Sequence, residues 1–112
     1  MSKELPLAPD ELADLTDIHR VIDYADARGY LPGIRLKDGV FMSVQCLYGS
    51  ASRGYCGAYT SMEVAYPTRV IDEFLPYARN PRKPTDTIYR YVPVEIINRV
   101  IRDHGGIVAL IR

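Results

Sequence analysis

From Val40 to Leu47 the pattern has a period of two, with Val40, Met42, Val44 and Cys46 on one side and Phe41, Ser43, Gln45 and Leu47 on the other. A period of two places successive side chains on opposite faces of a strand, so Cys46 is expected in the core. The shorter run Ile34–Leu36 precedes it across Asp38-Gly39, a hairpin signal. Alternation resumes after a glycine-rich stretch, with Met62, Val64 and Tyr66 opposite Ser61, Glu63 and Ala65 until Pro67. The two longer runs are expected to pair as an antiparallel hairpin.

Elsewhere the period is helical. Ile18, Val21, Ile22 and Ala25 recur at helical spacing, with Thr16 as a cap before them and Gly29 as a stop. Leu12 and Leu15 extend the stripe back to Pro9, which predicts one amphipathic unit over 9–28, or a short helix followed by a longer one. Val70, Ile71, Phe74 and Leu75 predict at most two helical turns that Pro76 ends. The clearest helix starts at Pro93, carries Val94, Ile97 and Ile101 on one line with Ile96 and Val100 beside it, and stops at Gly105-Gly106. The runs "DTIYRYV" before it and "IVALI" after it read as strands, and a strand, helix, strand ending allows a parallel crossover.

These elements predict an α+β fold: one compact domain over 1–112, with an antiparallel or mixed sheet of four to five strands and an N-terminal and a C-terminal helix packed on it. A length of 112 residues, 47% hydrophobic and 25% charged, suits one such core.

Charge changes the picture mainly through its distribution. Fourteen basic residues balance fourteen acidic ones, so no net field steers the molecule to nucleic acid or to an anionic membrane. Residues 1–28 nonetheless hold seven acids against three bases, a net of −4 that the remainder balances. Eleven of the bases are arginine, whose planar fork suits fixed, paired contacts. The acidic start and the lack of a long apolar run predict neither a signal peptide nor a membrane span, hence a cytoplasmic protein in which Cys46 and Cys56 are thiols.

The stretch "LYGSASRGYCGAY", residues 47–59, holds the most distinctive chemistry. Gly49, Gly54 and Gly57 match neither a phosphate-binding loop nor a dinucleotide fingerprint, and a strand rather than a helix follows. Tyr48, Arg53, Tyr55 and Tyr59 are of the residue types that anchor protein interfaces, because each brings large area and directional polar groups. A second loop, with Arg79, Arg82 and Lys83 among Pro81 and Pro84, is expected to be exposed, extended and basic. Together they predict a non-enzymatic binding protein with a protein partner. Two other readings stay open: a small enzyme or ligand-binding protein using Cys56 with His104, oriented by Asp103, and a nucleic-acid-binding module that stacks bases on the loop tyrosines. The spacing of Cys46, Cys56, His19 and His104 does not match a structural zinc site, so neither a metal nor a cofactor is expected.

The strings "GVFMSVQ", "GAYTSMEVAYP" and "DTIYRYVPVEIINRVIRDHGGI", spanning Gly39 to Ile107, resemble a group of small uncharacterised proteins of bacteria and their phages. That resemblance implies a stand-alone cytosolic protein, carried by a phage or mobile element, that binds a host protein complex in the manner of an anti-CRISPR or other defence inhibitor. It implies no catalytic residues.

Overall fold

A computed structural model describes residues 3–47, 50–54 and 59–112. Five strands form one sheet in the order β4-β3-β2-β1-β5, where β1 is Gly33–Leu36, β2 Phe41–Gln45, β3 Ser61–Ala65, β4 Ile88–Pro93 and β5 Ile107–Ile111. Every neighbouring pair is antiparallel. The strands β4 and β5 lie at opposite edges and run in the same direction, so the expected crossover exists, but the helix α2 (Val94–Asp103) carries the chain across the whole sheet.

Alternation in β2 has the predicted consequence: Val40, Met42, Val44 and Cys46 are buried, while Phe41, Ser43 and Gln45 are half-buried on the other face. The register puts Ile34 beside Met42 and Leu110, and Val44 beside Val64, so one face collects the large apolar side chains. Against it pack Ile97, Val100 and Ile101 of α2, with Ile18, Val21 and Phe74 from two short 3-10 segments. A Cα radius of gyration of 12.9 Å is that of one compact body of this length, for which about 13 Å is expected. No helix among the described residues is long and apolar enough to cross a membrane.

The opposite face is only partly covered: Phe41, Ser43, Gln45 and Glu63 are half-buried there and Arg35 is exposed. Gly33 sits there because the Phe41 ring lies directly over it: a Cβ added at Gly33 would meet Phe41 Cζ at 2.3 Å. At the β5 edge, residues 3–5 lie alongside as a strap, with Lys3 and Arg112 exchanging backbone bonds of 2.7 and 2.8 Å and the Leu5 N–H donating to Leu110 O at 2.8 Å. At the β4 edge, Ala78 pairs with Tyr89 and the Arg79 N–H donates to Ile88 O at 3.0 Å. Covering edge strands in this way removes backbone groups that would otherwise pair with another chain.

Several sequence expectations need correction. The favoured single unit over 9–28 is two pieces, α1 (Pro9–Ala13) and a 3-10 segment Ile18–Tyr24, and the cap of the second is Asp17 rather than Thr16. The break is tertiary. Asn98 of α2 accepts the Ile18 N–H at 2.8 Å and donates to Asp17 Oδ1 at 3.2 Å, while the same oxygen accepts the His19 N–H. Tyr66 leaves the core face: its backbone turns left-handed, at φ 51°, and the side chain is 56% exposed. Pro76 lies inside the 3-10 segment Asp72–Tyr77 rather than ending it, because so short a turn needs few backbone donors. The basic loop is not extended but folded into turns, with the Arg82 N–H on Asn80 Oδ1 and the Lys83 N–H on Asn80 O. Pro93 caps α2 and ends β4 instead of opening the helix.

Candidate partner-binding surface along the β4 edge

The two loops singled out by composition meet the same strand. Residues 50–53 cross over β3: the Ala51 N–H donates to Glu63 Oε1 at 3.3 Å, and Arg53 forms an antiparallel bridge with Ser61. The crossing ends on β4, where the Tyr91 N–H donates to Ala51 O at 2.9 Å. From the other end, the turns over 79–86 dock on the start of β4 through Arg79–Ile88 and through the Asn80 N–H on Thr87 Oγ1 at 3.0 Å.

A bulge in β4 makes this arrangement possible. Met62 pairs with Val92 and Val64 with Tyr89, so two residues, Arg90 and Tyr91, stand where one would oppose Glu63. An extra residue releases a backbone donor from the ladder and re-aims side chains. Here the released donor is the Tyr91 N–H that holds Ala51, and both Arg90 and Tyr91 turn outward. Tyr91 has φ 54°, a left-handed backbone that is sterically unfavourable for a tyrosine. Its ring carries the Arg53 guanidinium at 4.7 Å from the centroid, a cation–π distance. The described part of the loop is therefore laid flat on the sheet, with its arginine held in one place.

At the other end of β4, Tyr66, Arg79, Asn80, Asp86, Thr87 and Ile88 line an open groove of about 410 Å³. Arg53, Arg79, Arg82, Lys83 and Arg90 are all exposed. Among the described residues none of these five cations lies within ion-pair distance of a carboxylate; the contacts within that distance are those of His19 with Asp17 and of Arg69 and His104 with Asp38.

Of the residues expected at a partner surface, Arg53, Arg79, Arg82 and Lys83 thus flank one strand. Tyr59 does not join them: it is half-buried and packs on the core, and its carbonyl oxygen lies 2.7 Å from His19 Nε2. Tyr48, Tyr55 and Cys56 lie outside the described residues. Sequence reasoning left out Tyr66, Arg90 and Tyr91. The available signal was the "YRY" of β4, where two tyrosines two apart read as sharing a face; the bulge instead buries Tyr89 and exposes Tyr91.

His104, named in the alternative with Cys56, lies at the C-terminal end of α2, whereas the other end of that helix adjoins the loop through the Val94 N–H on Thr60 O. Its carboxylate neighbour is Asp38 of the β1–β2 turn, with Nδ1 and Oδ2 2.5 Å apart, while Asp103 is exposed. The hydrogen bond from His104 holds the Asp38 carboxyl below its ordinary value; desolvation opposes this, and the Val40 N–H and the charges of His104 and Arg69 add to the lowering. The histidine that contacts the 50–60 region is His19, whose Nδ1 is 2.9 Å from Asp17 Oδ1. Desolvation acts to raise Asp17, but bonds from the His19 N–H and Asn98, together with the imidazole charge, bring it below its ordinary value. Among the described residues no group of three or more His, Cys, Asp or Glu side chains is placed to hold a metal ion.

Comparison with protein-family models, with curated proteins and with solved structures gives no match, so the reading of this surface rests on its own geometry.

Proposed function

We propose that this chain is a binding protein whose contact surface is the β4 edge with its two flanking loops, and that the partner is a protein. The observation that carries the reading is the Arg53–Tyr91 stack, built by a bulge at a residue with a left-handed backbone. Strained backbone of this kind persists only where surrounding contacts over-determine it, and it concentrates at functional positions. A guanidinium already fixed on an aromatic ring loses little freedom on binding, and Arg and Tyr are both among the residue types enriched near interface centres. Strand addition does not suit either covered edge, so recognition would proceed through side chains.

The test is the double variant Arg53→Ala/Tyr91→Ala against Arg28→Ala, a control remote in sequence from both loops. We expect the melting temperature of the double variant to stay within about 5 °C of the parent, with capture of the partner from a host lysate abolished; the control should capture normally. Unimpaired capture by a folded double variant rejects the surface. The narrower proposal, motivated by the resemblance to small phage and bacterial proteins, is that the partner belongs to a host defence complex. Under it, expression of the parent chain, but not of the double variant, lifts restriction of a sensitive phage.

A further inference from the structure

We infer that the partner meets the β4 edge with an acidic protein face, one carrying carboxylates opposite both halves of the strand; this rests on the reading of that edge as the contact surface. Arg53 stands on Tyr91 in the second half of the strand, Arg79, Arg82 and Lys83 stand at its start, and Arg90 lies exposed between them. Ile88 and Tyr91, which anchor the two loops, are three residues apart in sequence, but the bulge sets them against Ala65 and Glu63, about two strand steps or roughly 7 Å along the sheet. All five cations lack a carboxylate partner among the described residues, so each would be desolvated without compensation unless the partner supplied the opposite charge. Arginine forks match carboxylates in two-point contacts, and the stack on Tyr91 fixes the direction in which Arg53 presents its donors.

Phosphate backbone is the other polyanion that such cations attract, and two features disfavour it. Asp86 lines the same groove as Arg79, placing a like charge in the path of a uniformly negative strand, whereas a protein face can set a cation opposite it. Tyr91 already has the Arg53 guanidinium over its ring, so that face cannot take a base. The zero net charge of the chain also denies it the long-range attraction on which nucleic-acid binding depends.

The experiment uses two labelled probes, a glutamate peptide of about ten residues and an oligothymidine of about twelve nucleotides, followed by fluorescence anisotropy with the whole chain. We expect the peptide to bind, to weaken about tenfold between about 50 mM and about 300 mM salt, and to weaken at least about tenfold in Arg79→Glu/Arg82→Glu/Lys83→Glu. Tighter binding of the oligothymidine overturns the inference in favour of nucleic acid, and equal peptide binding by the reversed variant overturns it outright. Should the triple variant not fold, Arg82→Glu alone carries the same expectation, since that side chain is exposed and its backbone bond to Asn80 is unaffected. Salt-sensitive self-association in sedimentation, lost in the reversed variant, would assign the acidic face to residues 1–28 of a second copy and overturn a separate partner. Loss of capture by Arg53→Ala/Tyr91→Ala with no peptide binding would leave the contact surface standing and remove only its acidic chemistry.

Discussion

At the scale of single residues, the informative positions are those where local preference and observed geometry disagree. Tyr66 and Tyr91 both take a left-handed backbone and both are exposed. A non-glycine residue there costs about 1–3 kcal/mol, while an exposed cation–π contact contributes about 0.5–1 kcal/mol. Replacing Tyr91 with glycine is therefore expected to leave the melting temperature unchanged or raised, although Arg53 loses its support; a fall of more than about 5 °C would mean that the ring is needed for packing. Asp38 gives a pH prediction. A carboxyl held low in the fold stabilises it above the unfolded value, about 3.9, and that contribution disappears as pH falls through the lower folded value. Asp38→Asn should be less stable than the parent at neutral pH and lose less on acidification below about pH 4. Urea midpoints measured across this range would check it, and parallel acid limbs would reject the role given to His104.

Between residue and molecule stand the elements, and here β5 bears the most weight. It pairs with β1 on one side and with the strap of residues 3–5 on the other, and it buries Ile107, Ala109 and Leu110. Removing Ile107–Arg112 would strip β1 of its ladder partner and take Ile107 and Leu110 out of the shared core, and each large apolar side chain so lost is worth about 1.5–3 kcal/mol. The truncated chain is expected to be insoluble or to lack near-UV dichroism. A cooperative melt with native near-UV signal would show that β5 is peripheral. The 3-10 segment Ile18–Tyr24 illustrates a different dependence, since its start is held by Asn98, eighty residues away in sequence.

Across the whole molecule, sheet and helices share one core. Phe74 lies fully buried against Tyr89, with ring centroids 5.8 Å apart, where the 72–77 segment meets β4. Phe74→Ala should remove about 3–5 kcal/mol, a large part of the roughly 5–15 kcal/mol that a domain of this kind possesses. Because the core is continuous, far-UV and near-UV signals should still change together in urea. Separated transitions would mean that the β4 side and the β5 side unfold independently.

What the sequence determined by itself was whatever depends on near neighbours. The period of two in Val40–Cys46 set the buried face of β2, the line Val94–Ile97–Ile101 set the inner face of α2, and Gly105-Gly106, both at positive φ, set its end. Arg53, Arg79, Arg82 and Lys83 were legible as candidates because composition alone marks exposed, pairing-prone loops. Tertiary structure decided the rest, through bonds between groups far apart in the chain. Asn98 broke the N-terminal helix at Asp17, and β5 found β1 rather than β4 because α2 spans the sheet. The bulge in β4 put Tyr89 inside and Tyr91 outside, and it left the Tyr91 N–H free of the ladder to bind Ala51 O. A one-residue change of register reverses the facing of every following side chain, and no local pattern records where a distant carbonyl will accept the donor it frees.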